Sequence, residues 1–274
     1  MRELWKALQQ EITGLALPVD CAGCGLPRVR GQLCPDCDRA LTQAVPRRVW
    51  PTPVPSGLPP VYAATPYADE ARAVLLTHKE RGALRLAAPL GAALAATVSC
   101  AVARSAVPPG AGLRGAQPRG AGPRDVGARS AAPRSFAARA GVAPLTLVPL
   151  PSAPRAVAAR GHDPVRRMAL AAARRLRGDG APVRVLSALR QRRAVADQSG
   201  LTARERGANL AGALEVRPGG GELLAEGPVV LVDDLMTTGS SLAEAARAVR
   251  AAGAEVTGAA VIASRESLAG TIRN

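Results

Sequence analysis

Val229-Val-Leu-Val-Asp-Asp-Leu-Met-Thr-Thr-Gly-Ser-Ser241 runs four β-formers into two adjacent carboxylates and then a hydroxyl-rich turn, with the helical pattern LAEAARAVRAAG behind it. That order predicts a buried parallel strand, an acidic strand end, a loop of phosphate size and a helix N-terminus. Backbone N–H groups at a helix start carry partial positive charge and lack intrahelical partners, so a small turn there wraps a phosphate dianion. Gly239 lets the backbone approach closely, and the hydroxyls of Thr237, Thr238, Ser240 and Ser241 supply further donors. Asp233 and Asp234 narrow the ligand, because carboxylates beside an anion site repel the anion unless they face a sugar diol or a bound cation. A ribose 5-phosphate with Mg2+ meets both requirements. The plainer alternative is an ordinary strand, turn and capped helix with acidic turn residues.

Outward from this stretch the chain reads as α/β from Val61 onward. VYAAT, PLTLVPLP, VRVLSAL, GPVVLVDD and EVTGAAVIA read as strands. ADEARAVLLTHK, LRLAAPLGAALAATVSCAVA and DPVRRMALAAARRLR read as helices between them. Strands alternating with helices predict a parallel sheet with helices on its faces and the ligand at the carboxyl ends of the strands. Residues 46–60 hold six prolines and no periodicity, which predicts a linker. It would separate residues 1–45, a short amphipathic helix and a cysteine module, from the domain at residues 61–274.

Aromatic residues make up 2% of the 274 residues, so any core must be filled with Ala, Val and Leu. Lys6 and Lys79 are the only lysines, and the net charge of +15 is carried by arginine. Residues 104–140 hold seven Arg and one Asp, hence +6 of that charge, with Arg at a spacing of five among Pro and Gly. This period fits neither helix nor strand, so residues 105–141 read as a disordered insertion, with a nucleic-acid-gripping arm as the sharper alternative. Phe136 is the arm's only stacking platform. The uncharged run 86–103 reaches the length of a membrane span, but its weak Ala-rich apolarity favours a buried helix, and no membrane insertion is expected. No secretory pattern stands in MRELWKALQQEITGLALP, so the expected compartment is the cytoplasm, where thiols stay reduced.

Cys21-Ala-Gly-Cys24 and Cys34-Pro-Asp-Cys37, nine residues apart, have the ligand count and spacing of a tetrahedral Zn2+ site with no open position, hence a structural one. Iron or disulfides would use the same four cysteines. Cys100, alone in an apolar helix, reads as inert packing.

VVLVDDLMTTGSSL resembles the ribose-phosphate signature of type I phosphoribosyltransferases, with Ser241 where Thr is more common. Together with CAGC, CPDC, YADEARAVLLTHKERGALRLAAPL, VPLPSAPRAVAARGHD and DQSGLTARERGANLAGAL, it resembles the competence protein F (ComF-like) family over nearly the whole chain except 105–141. That family fuses a zinc ribbon to a type I phosphoribosyltransferase domain. The resemblance implies binding of 5-phosphoribosyl 1-diphosphate (PRPP) with Mg2+ and transfer of ribose 5-phosphate to an unknown acceptor with release of pyrophosphate, in DNA uptake and natural competence. The alternative it leaves open is a non-catalytic PRPP-sensing or DNA-processing accessory protein.

By the same resemblance, Asp233 and Asp234 are the catalytic acids that grip the ribose hydroxyls. Pro149, Leu150, Pro151 and Ser152 belong to a pyrophosphate loop with Arg155 and Arg160 behind it. Residues 190–209 form a mobile loop whose Arg192, Arg193, Arg204 and Arg206 meet the pyrophosphate, with Gln198 and Asn209 as loop anchors. Where the family commonly has Arg-Gly-Phe-Asn-Gln, this chain has Arg160-Gly-His-Asp-Pro164. Asp163 and Pro164 suit an N-cap and first helical residue, and His162 is expected as an exposed loop histidine rather than a ligand contact. The partner classes are PRPP or another ribose phosphate, DNA-uptake machinery or single-stranded DNA, and a second copy of the chain in a homo-oligomer.

Overall fold

The computed structural model of the chain describes residues 19–27, 29, 31–105, 143–193, 205 and 209–265. The helix expected over residues 1–17 and the insertion beyond Ser105 lie outside these residues, as do Gln198, Arg204 and Arg206. Eight strands are described: β1 (Arg47–Val49), β2 (Val61–Pro66), β3 (Leu145–Pro149), β4 (Val183–Val185), β5 (Leu189–Gln191), β6 (Leu214–Val216), β7 (Val229–Met236) and β8 (Val256–Ser264). The described helices are α1 (Pro35–Thr42), α2 (Asp69–Glu80), α3 (Ala87–Ser105), α4 (Pro154–Arg160), α5 (Pro164–Gly178), α6 (Gly220–Ala225) and α7 (Ser240–Ala251), with a 3-10 turn over Leu84–Leu86.

Continuous apolar runs such as 229–232 have no polar face, so they fold only where both sides are covered. The sheet meets that demand, in the order β1-β2-β8-β7-β3-β4, parallel throughout except for the antiparallel edge strand β1. Alternation along β7 and β8 divides the core. Val230, Val232, Ala260 and Ile262 face α3 and α5, while Val229, Leu231, Ala259 and Val261 face α7 and the β5–β6 pair. The shortage of aromatics is met by close approach of small residues. A Cβ on Gly91 of α3 would stand 2.4 Å from the Ala171 Cβ of α5, so the two helices pack nearly backbone to backbone. The apolar run 86–103 is therefore a core helix wedged between α5 and the sheet.

One expectation is corrected. VRVLSAL is not one strand, since β4 ends at Val185 and β5 begins at Leu189 in a separate antiparallel pair with β6. The crossing is fixed by Leu186 N–H on the Leu147 carbonyl (2.9 Å) and Arg217 N–H on the Ala188 carbonyl (2.8 Å). Residues 46–60, expected as a linker, are packed on the domain. They supply β1, and Arg250 Nη1 donates to the Gly57 carbonyl at 2.8 Å, pinning the proline-rich segment to α7.

Candidate functional site

The carboxyl ends of β7 and β3 lie side by side, with Pro149 in register with Val232. This juxtaposes Asp233 and Asp234, the 237–241 turn and the 149–152 loop at one edge of the sheet. Gly239 is the N-cap of α7 with φ +72, a conformation that L side chains rarely adopt. Its outer side is covered: a Cβ there would lie 3.1 Å from Pro51 Cγ and 3.2 Å from Leu58 Cδ2. Thr238 Oγ1 and Ser240 Oγ are hydrogen-bonded at 3.1 Å, so the hydroxyls converge inside the turn. Thr237 and Ser241 are half-buried beside them. Leu150 contributes less than expected, because its N–H donates to the Val232 carbonyl (2.9 Å) and its side chain lies in the core. Pro149 is likewise buried, and Pro151 and Ser152 are the half-open members of that loop.

Asp234 is 8% exposed and accepts from Lys79 Nζ at 2.9 Å, an ion pair between β7 and the last turn of α2. Asp233 Oδ1 accepts the Asp234 N–H at 2.8 Å. Burial, followed by the adjacent Asp234 charge, pushes the Asp233 carboxyl well above the usual carboxylate range, against the pull of that N–H and of Lys79. Burial would lower Lys79, yet the charge and hydrogen bond of Asp234, with help from Asp233, hold it above the usual lysine value. Lys79 is a residue that sequence reasoning missed. Its only signal was being one of two lysines in an arginine-rich chain.

The arginines divide. Arg160, at the end of α4, is bound by Glu80 through Nε (3.1 Å) and Nη2 (2.9 Å), so in this state its fork is engaged by a carboxylate. Arg193 Nη2 donates to the carbonyls of Asn209 (2.7 Å) and Ala211 (3.2 Å) and closes the base of the loop that β5 and β6 carry. Arg192 is exposed at the same base, its N–H on the Ala213 carbonyl, and Arg155 is exposed on α4. Beneath this loop the buried Glu244 of α7 accepts the Leu214 N–H (3.0 Å) and two bonds from Arg247. Burial opposes ionisation there, but these donors win and lower the Glu244 carboxyl. His162 departs from expectation. It is 8% exposed, with Nδ1 3.1 Å from the Arg160 carbonyl and Nε2 3.2 Å from the His78 carbonyl. It fills space against the buried His78 ring, 5.8 Å away between centroids. Asp163 caps α5 as expected, accepting the Arg166 N–H at 3.0 Å.

Residues 168–274 match the Phosphoribosyl transferase domain family. The matched span begins within α5 and takes in β5, β6, the acid pair and the 237–241 turn. No curated protein matches the chain. The fold is thus a phosphoribosyltransferase-like α/β domain. β2, α2, α3 and β3, which precede the matched span, are built into the same sheet and core.

At the other end of the described chain, Cys21, Cys24, Cys34 and Cys37 bring their sulfurs within 4.8 Å of one another. A tetrahedron with Zn–S of about 2.3 Å has edges of about 3.8 Å, and Cys24 Sγ and Cys34 Sγ stand 3.7 Å apart. Backbone donors point into the cluster: Cys34 N–H at Cys21 Sγ (3.2 Å) and Cys37 N–H at Cys34 Sγ (3.5 Å). Burial pushes the Cys21 thiol up, but the N–H groups of Cys34, Cys24 and Gly23 outweigh it and bring it to about 6. Burial and the neighbouring sulfurs push Cys37 up. Four sulfurs so placed are a donor set that fits Zn2+. Gly23 is required by the packing, since a Cβ there would meet Cys37 Sγ at 2.9 Å. The module is docked, with Leu41 of α1 in the core beside α3. Cys100 reaches the Pro46 carbonyl at 3.9 Å and takes no part in the cluster.

Proposed function

We propose that the chain binds PRPP with Mg2+ and transfers its ribose 5-phosphate to an acceptor nucleophile. The carrying observation is the meeting of Asp233 and Asp234, the 237–241 turn and the 149–152 loop at the carboxyl ends of two hydrogen-bonded strands. In this reading the 5-phosphate sits on the N–H groups at the start of α7 and the hydroxyls of Thr237, Thr238, Ser240 and Ser241. Asp233 and Asp234 face the ribose hydroxyls and steady positive charge developing on the ring. The 149–152 loop faces the diphosphate, with Arg160, Arg192, Arg193 and Arg206 as its cationic surroundings. Carboxylate and phosphate oxygens are the donors Mg2+ takes, and bound there it would neutralise charge on the departing pyrophosphate. The acceptor's lone pair forms the new bond to the anomeric carbon as the carbon–oxygen bond to pyrophosphate breaks with its electron pair.

A cleft of about 240 Å3 between α1 and α2 is lined by Cys37, Leu41, Thr65, Asp69, Glu70 and Val74, and none of the residues proposed for PRPP lines it. By resemblance to the competence protein F family, the setting is cytoplasmic DNA uptake, with uptake machinery or single-stranded DNA as partners. The net charge of +15 suits an anionic partner. The test is pyrophosphate release from PRPP and Mg2+ over a panel of bases and amines. Release with any acceptor supports the transferase, and tight PRPP binding without release across the panel supports a ligand-sensing accessory protein instead.

A further inference from the structure

The last turn of α2 makes contacts to two neighbouring elements with three consecutive residues. The His78 carbonyl faces His162 Nε2 at 3.2 Å, Lys79 holds Asp234 Oδ2 at 2.9 Å, and Glu80 holds the Arg160 guanidinium by two bonds. His162 and Arg160 belong to the α4–α5 junction that follows the 149–152 loop, whereas Asp234 belongs to β7. One helical turn therefore ties the ribose end of the site to the diphosphate end.

The geometry of Asp234 makes Lys79 the member that matters. Neighbouring side chains on a strand point to opposite faces, and Val230 and Val232 place the even-numbered face against α3 and α5. Asp234, next on that face, is 8% exposed. A carboxylate so enclosed turns toward water unless a fixed cation holds it. Among the described residues Lys79 is the cation that meets it, and its place in the last turn of α2 suits a positive charge. We infer that Lys79 is a positioning residue for the ribose: by holding Asp234 in one orientation, it sets that carboxylate against a sugar hydroxyl without itself touching the ligand.

This inference rests on the ribose-phosphate reading above, and binding measured with two separate probes tells the two apart. Ribose 5-phosphate and inorganic pyrophosphate, each with Mg2+, are titrated into the full-length wild type, Lys79→Met, Lys79→Arg, Asp234→Asn and the Lys79→Met/Asp234→Asn double variant. Lys79→Met should weaken ribose 5-phosphate roughly tenfold and leave pyrophosphate within about twofold, as expected when a partner of a desolvated charge pair is truncated. Lys79→Arg should restore most of the loss, and the double variant should bind no more weakly than Asp234→Asn alone, because Lys79 acts through that carboxylate. A larger loss for the more highly charged pyrophosphate would overturn the inference and make Lys79 a direct anion contact. Equal loss of both probes, or no loss of either, would also overturn it. Wild type binding neither probe would overturn the ribose-phosphate reading, and this inference with it.

Discussion

Gly239→Ala probes the phosphate turn and the segment that covers it in a single substitution. Gly239 stands at the N-terminus of α7 with φ +72 and Gly253 just beyond its C-terminus with φ +84. Placing Ala in the left-handed region costs about 1–2 kcal/mol at either position. The surroundings differ. A Cβ at Gly253 meets nothing within 4 Å, whereas at Gly239 it would press on Pro51 Cγ at 3.1 Å and on both methyls of Leu58 at 3.2 and 3.3 Å. Both neighbours are side chains of a segment held by β1 and by Arg250 on Gly57, so they yield only in part. Crowding of this kind adds about 1 kcal/mol. Gly253→Ala should therefore lower unfolding free energy by about 1–2 kcal/mol and Gly239→Ala by about 2–3 kcal/mol, read from urea midpoints at constant slope. Gly239→Ala should also weaken binding of inorganic phosphate or ribose 5-phosphate, because the turn's N–H groups move, while Gly253→Ala leaves it unchanged. Equal stability losses would refute the claim that residues 51–58 are packed on the turn.

Gly91→Ala gains about 1 kcal/mol of helix propensity but drives a Cβ to 2.4 Å from Ala171 Cβ and 2.9 Å from the Ala172 backbone N. Overpacking of a backbone contact costs about 1–3 kcal/mol, so the urea midpoint should fall, and a rise would contradict the close α3–α5 approach. Glu244 has a folded carboxyl held below its ordinary value, so its contribution is complete above that value and disappears as pH falls through the lowered one. Glu244→Gln should cost about 1 kcal/mol at neutral pH and progressively less in acid; a cost that grows on acidification would be inconsistent with the Leu214 and Arg247 bonds. Metal analysis of freshly purified protein should find about one equivalent of Zn2+, lost together with thermal stability in Cys21→Ser. Less than half an equivalent would count against the cysteine site.

Strand β7 was legible in sequence because its signals are local: an apolar run, two acids, a Gly that must take positive φ, and a helix behind it. The four cysteines were legible for the same reason, through paired spacing. What escaped reading depends on contacts between distant positions. Lys79 and Asp234 are 155 residues apart, and nothing on either side of Lys79 marks its partner. The prolines at 46–60 leave no periodicity to read, yet absence of periodicity says nothing about packing, and the segment supplies β1 while Pro51 is buried. LSAL, apolar and short, does not reveal that the chain leaves one sheet for another between Val185 and Leu189. His162 sits in a turn that reads as exposed, but its ring packs against the buried His78.

The central claim is tested most directly by calorimetric titration of PRPP into the wild-type chain and the Asp233→Asn/Asp234→Asn variant, with and without Mg2+. Binding that requires Mg2+ in the wild type and is lost in the variant is the predicted result. Equal affinity in the two proteins would contradict the assignment of the acid pair to the ribose.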